Sequence, residues 1–109
     1  MRTLKFIVED QIVRPDPNCD FSDLVPGTKG YLKAEFSFSK AWEGYTKVAG
    51  FFSMMGREYK PQVLRDGKSC TIPAEACARS QFRIQVLGKK DVDVLKTNKL
   101  VVLQNGGSV

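Results

Sequence analysis

The sequence has 109 residues, 42% of them hydrophobic and 27% charged, proportions that exclude both a disordered segment and a chain embedded in a membrane. One domain over residues 1–104 can bury roughly 65% of its unfolded surface and so fold on its own core. The net charge of +5 is uneven: residues 1–38 hold five basic and six acidic side chains, residues 39–109 twelve and six, so only the second part could face a polyanion. There the lysines are interleaved with Glu58, Asp66, Asp91 and Asp93, which reads as a solvated surface rather than a nucleic-acid site.

Residues 4–8 and 11–14 flank Glu9-Asp10 and read as a hairpin turning at that pair. Residues 14–30 carry three prolines and two glycines among Asp, Asn and Ser, the chemistry of a long ordered loop, with Phe21, Leu24 and Val25 to pin it to a core. Asp16, Asn18 and Asp20 match the first three ligand positions of a calcium loop. Phe21 stands in that loop's obligatory glycine position and Gly27 in that of its bidentate glutamate, so these side chains are expected to cap their own backbone. No metal or other cofactor is expected.

From residue 31 to 54 the chain reads YLKAEFSFSKAWEGYTKVAGFFSM, two alternating runs on either side of a break that holds Trp42 and Gly44. Leu32, Ala34, Phe36 and Phe38 fall on one side of the first strand and Tyr31, Lys33, Glu35 and Ser37 on the other, the period of two of a half-buried strand. In the second run Val48, Gly50, Phe52 and Met54 share one side and Ala49 and Phe51 the other, so that strand is apolar on both. Trp42, Phe36 and Phe38 are the expected core anchors.

After a turn at Met55-Gly56, residues 57–64 form a strand that Pro61 confines to an edge or a bulge. Asp66-Gly67 is a turn, 70–72 a short strand stopped by Pro73, and 73–79 a single helical turn. Phe82, Ile84 and Val86 alternate with Gln81, Arg83 and Gln85 in a further strand, and 92–95 and 100–104 complete the set before a disordered tail at 105–109. About eight short strands with frequent turns specify an all-β fold, an antiparallel β-sandwich.

Catalytic motifs are missing. Without histidine there is no Ser-His or Cys-His nucleophile, and no carboxylate pair converges by spacing. Gly67-Lys68-Ser69 looks like the end of a phosphate-binding loop, but Gln62 stands where that pattern requires glycine. Cys19, Cys70 and Cys77 lack metal-ligand spacing and read as structural thiols of a reducing host cytoplasm. Phe38 and Trp42 with Lys40 and Lys47 could form a stacking platform for bases, although core packing accounts for the aromatics better.

The series Phe36-Ser-Phe-Ser-x-x-Trp42-x-Gly44-x-x-Lys47-x-Ala49-x-Phe51, then Cys70-Thr-Ile-Pro73-x-Glu75, Phe82-x-Ile-x-Val86 and Thr97-Asn98-Lys99 resembles the N-terminal domain of bacteriophage baseplate upper proteins and related small tail-associated proteins of phages and prophages of Gram-positive bacteria. It covers residues 30–104, leaving out the N-terminal hairpin and the loop after it. The resemblance implies a β-sandwich with a structural, assembly-forming role in the virion, no catalytic residue, and partners that are other phage structural proteins or further copies of the chain. Two alternatives stand beside it: a phage accessory inhibitor, such as an anti-CRISPR protein, that binds a host effector, and a weak nucleic-acid binder. If the chain works by contact, Ala49, Phe51, Met55, Leu100 and Val102 are the expected contact residues, because a strand apolar on both faces leaves one face over. The loop 15–30 is the alternative cover for that face.

Overall fold

The computed structural model describes residues 1–104, so the expected tail at 105–109 lies outside the described residues. In chain order the strands are β1 (Arg2–Glu9), β2 (Ile12–Pro15), β3 (Leu32–Phe38), β4 (Thr46–Phe52), β5 (Gln62–Val63), β6 (Ser69–Thr71), β7 (Gln81–Lys90), β8 (Asp93–Lys96) and β9 (Leu100–Leu103), with one helical turn, α1 (Ala74–Cys77). They make two sheets, the first ordered β2-β1-β3-β6 and the second β5-β4-β7, with β8 and β9 end to end along the far edge of β7. The fold is all-β, as the alternation requires. No helix among the described residues is long and apolar enough to cross a membrane.

One pairing departs from an antiparallel sandwich: β1 and β3 run parallel, in register from Arg2 against Leu32 to Val8 against Phe38. The hairpin brings the chain back toward the end where β1 began, and the loop then crosses that end past β1. Strand β3 therefore has to start again in the direction of β1. The Arg2 guanidinium fixes the crossing by donating to the carbonyls of Asp20 at 2.8 Å and Ser22 at 2.7 Å. Asp16 and Asp20 do cap their own loop: Asp16 Oδ1 accepts the Asn18 amide at 2.9 Å, and Asp20 Oδ1 accepts the Ser22 hydroxyl at 2.6 Å and amide at 2.8 Å. Those bonds, the hydroxyl's first, hold the Asp20 carboxyl below its ordinary range. Of the three expected pins, Phe21 packs edge-on against Phe6 and Leu24 is buried, while Val25 is exposed.

The sequence-level boundaries shift at two places. The hairpin turns at Asp10-Gln11, one residue later than expected, because Glu9 still pairs with Ile12 and Asp10 takes the left-handed φ of +52°. The strand expected over 57–64 shrinks to β5, since Pro61 withholds a donor and Ser53 Oγ pulls the amides of Met55 and Arg57 into a turn. Asp66 and Gly67 both take positive φ, +52° and +67°, making the tight turn that carries the chain from the second sheet to the first.

Between the sheets, aromatic rings run in file: Phe6, Phe36, Phe38, Trp42 and Tyr45, with successive centroids 5.3, 6.0, 5.3 and 6.1 Å apart. Trp42 sits in a 3₁₀ turn, Lys40–Trp42, with 0% of its surface exposed, and its indole N–H donates to the Asp10 carbonyl at 2.7 Å. Position 88 must be glycine beside it, because a Cβ there would lie 2.8 Å from Trp42 Cζ3. Phe36 is equally core, whereas Phe38 is half-buried at the rim with the Lys47 ammonium 5.1 Å from its ring centre. A buried Trp42 leaves no stacking platform for bases there.

The edge formed by β8 and β9 is a single strand with a bulge. Leu87 pairs with Lys96 and Ile84 with Leu100, so residues 85–86 of β7 face residues 97–99. Thr97 keeps the ladder going: its amide donates to the Val86 carbonyl at 3.0 Å and its Oγ1 accepts the Val86 amide at 2.9 Å. Asn98 is thereby turned toward the other sheet, where its amide reaches the Gln11 carbonyl and its Oδ1 accepts the Val13 amide at 2.8 Å. The bulge thus covers part of the β2 edge, which would otherwise invite a foreign strand.

Cys70 and Cys77 lie in the core as free thiols, and burial pushes Cys70 from its ordinary 9.0 up to about 12 and raises Cys77 as well. A thiol-labelling disulfide reagent at pH 8 should therefore modify half-buried Cys19 in the native protein, and the other two only once it unfolds. Because the folded state holds the Cys70 proton more tightly than the unfolded chain does, this contribution to stability is complete below pH 9 and falls away between about pH 9 and 12. A fall in melting temperature across that window no steeper in the wild type than in a Cys70→Ala variant would contradict the placement of Cys70.

Candidate contact surface

Strand β7 supplies the reference for the second sheet, because its alternation is clean: Phe82, Ile84 and Val86 are fully buried. Residues paired directly with them share their face. Ala49 pairs with Val86, Phe51 with Ile84, Leu100 with Ile84 and Val102 with Phe82, so all four point into the sandwich. Ala49, Phe51 and Val102 are buried and Leu100 packs against the core, which removes them as contact residues. The expectation erred by one residue of register: both faces of β4 are apolar, and it is the opposite set that looks outward.

That outer set is Val48 and Phe52 on β4, Leu87 on β7, Val63 on β5, Val94 on β8, and Val101 and Leu103 on β9. Val63, Val94, Val101 and Leu103 are exposed, with Val48 and Leu87 half-buried between them. Phe52 is covered differently: its ring lies back over Gly50, where a Cβ would meet it at 3.1 Å, and the Lys99 ammonium caps it 4.1 Å from the centroid. The loop 15–30 does not reach this face; its anchors Phe21 and Leu24 belong to the core side.

Charge separates the two sheets. By the same register Arg83, Lys89 and Lys96 stand on the outer face of the second sheet with Lys99, and Glu58, bridged to Phe52, is the carboxylate at its border. On the first sheet the outer residues Lys5, Lys33, Glu35, Glu9 and Arg14 mix both signs, and Arg14 pairs with Glu9 at 3.4 Å. One broad surface is therefore solvated and self-compensated. The other interleaves aliphatic side chains with cations, Arg83 standing between Phe52 and Val101 and Lys89 between Thr46 and Val94 on the central strand β7, and is the stronger candidate for contact.

Met55, the remaining predicted contact residue, is 94% exposed at the turn where β4 leaves β7. There it borders a cleft of about 470 Å³ lined by Ser53, Met54, Arg57, Tyr59, Arg79, Ser80 and Gln81. One wall is shaped by Ser53 Oγ, and the Tyr59 amide is tied to the Phe51 carbonyl at 2.8 Å. The opposite wall is held by buried Gln104, whose Nε2 donates to the Arg79 carbonyl at 2.6 Å and the Cys77 carbonyl at 3.0 Å and whose amide donates to the Ser80 carbonyl at 2.7 Å. Arg57, Arg79, Tyr59 and Gln104 escaped the sequence reading, and no local spacing relates them. Comparison with known proteins finds no match: no family model, curated protein or solved structure aligns with this chain.

Proposed function

We propose that the chain is a protein-contact module of a phage virion, of the baseplate or tail-associated kind, that docks through the outer face of its second sheet. One observation carries the docking: the strand register gathers Val63, Val94, Val101 and Leu103 on a single face beside Arg83, Lys89, Lys96 and Lys99. The partner this suits is a different protein whose surface offers carboxylates interspersed among aliphatic groups. A second copy docked face to face would set the cations against their own kind, which disfavours an isologous pair. The phage assignment rests on the resemblance, whose residues Trp42, Ala49, Phe51, Ile72, Phe82, Ile84 and Val86 form the core.

Co-expression with the products of the genes adjacent to its own tests both parts. A tail or baseplate protein among them should co-elute with this chain, and Val101→Asp should weaken that complex by about 2 kcal/mol or more through an unpaired charge in the contact. Because Val101 is 41% exposed, the same change should leave folding within about 0.5 kcal/mol of wild type. A complex indifferent to Val101→Asp removes the face from the proposal, and failure to bind any virion component removes the assignment.

A further inference from the structure

Two arginines, Arg57 and Arg79, border the cleft at the end of the second sheet, and neither is held in an ion pair. Among the described residues the one ion pair is Arg14 with Glu9. Glu75 opens onto a neighbouring depression of about 290 Å³ that shares Arg57, Tyr59 and Arg79 with the cleft, and it stays outside ion-pair distance of both guanidiniums. Met54, Met55 and Tyr59 line the same cleft. Methionine adapts its shape to what it covers, and tyrosine and arginine are the residues on which contact energy concentrates.

We infer that this cleft binds a polypeptide segment of a partner in which a carboxylate side chain adjoins an apolar one, the carboxylate held by Arg57 and Arg79 and the apolar group lying against Met54, Met55 and Tyr59. The inference deepens the protein-contact reading and rests on it only for the source of the segment. The cleft's volume of about 470 Å³ falls within the range of roughly 300–1,000 Å³ found for small-molecule sites, room for a pair of side chains. Guanidinium groups recognise carboxylates with two parallel hydrogen bonds, a geometry that a lysine or a neutral donor does not reproduce. A second copy docked cleft to cleft would bring its own arginines to the same place, which disfavours an isologous pair. A nucleic-acid phosphodiester carries the right charge but flanks it with polar sugar and ester oxygens, which the thioether and ring surfaces of the cleft do not match. The walls are preformed, one by the turn at Ser53 and the other by Gln104, so little ordering has to accompany binding.

The test is an amide-resolved NMR titration of the intact protein with acetyl-Leu-Glu-amide and acetyl-Phe-Glu-amide, against their glutamine twins and inorganic phosphate. At least one glutamate peptide should give saturable shifts at Ser53, Arg57, Arg79, Ser80 and Gln81 with Kd of about 1–10 mM, and the glutamine twin should bind about tenfold more weakly. Arg79→Gln should remove the preference for glutamate while leaving the rest of the spectrum in place. Glu75→Gln, which takes away the carboxylate of the neighbouring depression, should tighten binding. Equal binding of the twins, tighter binding of phosphate than of either peptide, or no saturable shift with any of them overturns the inference. The Val101→Asp experiment reads other residues, so either result can fail while the other stands.

Discussion

Replacing Trp42 by alanine is expected to cost about 3–5 kcal/mol, which against a total stability of about 5–15 kcal/mol for a domain of this kind is a large share. Two losses combine. The ring is fully buried between Phe38 and Tyr45, with Gly88 left bare to receive it, so its removal opens a cavity that no neighbouring Cβ can fill. The indole N–H also leaves the Asp10 carbonyl, its partner at 2.7 Å, and that bond ties the tip of the β1–β2 hairpin to the turn after β3. Native tryptophan emission should be that of a ring shielded from water, and the alanine variant should melt roughly 15–25 °C lower. An unchanged melting temperature would show that the ring is not where the core places it.

Phe51→Asp should be worse still: the variant should not fold. Phe51 is 0% exposed, pairs with Ile84 and lies 6.3 Å from the Phe82 ring, so a carboxylate there has neither water nor a counter-charge. The uncompensated burial of a charge costs several kcal/mol even after relaxation, comparable with the whole stability of the domain. Loss of the cooperative thermal transition, seen by circular dichroism, is the expected result. Val101→Asp gives the internal control, since an aspartate on the outer face should leave the transition intact. A folded Phe51→Asp protein would mean that the two faces of β4 are assigned the wrong way round.

The contrast between those two positions shows how far local pattern reaches. In β7 the polar residues Gln81, Arg83 and Gln85 interrupt the apolar ones, so the buried face was legible in the chain itself, and Phe82, Ile84 and Val86 are where the alternation puts them. In β4 the run Val48-Ala-Gly-Phe-Phe52 is apolar at every position and hydropathy does not distinguish its sides. Only the hydrogen-bond register against β7 does so, and Val48, Phe52, Val101 and Leu103 became the outer surface through it. The cleft lay further out of reach, because Arg57 and Arg79 are joined by no motif and meet only where β4 diverges from β7. A buried glutamine near the end of the described chain signalled nothing until its bonds to Cys77, Arg79 and Ser80 were seen.

The chain alone determined the all-β class, the short helical turn at Pro73, the burial of Trp42 and Phe36, and the self-capping of Asp16 and Asp20. Each of these follows from the chemistry of residues within a few positions of one another: alternation, a proline's fixed φ, a ring too large to leave wet, a carboxylate within reach of its own backbone. Which strands pair, in which direction, and which side of an all-apolar strand turns inward were decided by the tertiary structure. Those are properties of two segments taken together. β1 pairs parallel with β3 because the loop after β2 crosses back past the start of β1, where Arg2 holds it, and the outward turn of Val101 exists because Val102 pairs with Phe82. A side chain's polarity says only that it prefers to be dry; the backbone hydrogen bonds between distant strands determine whether it is.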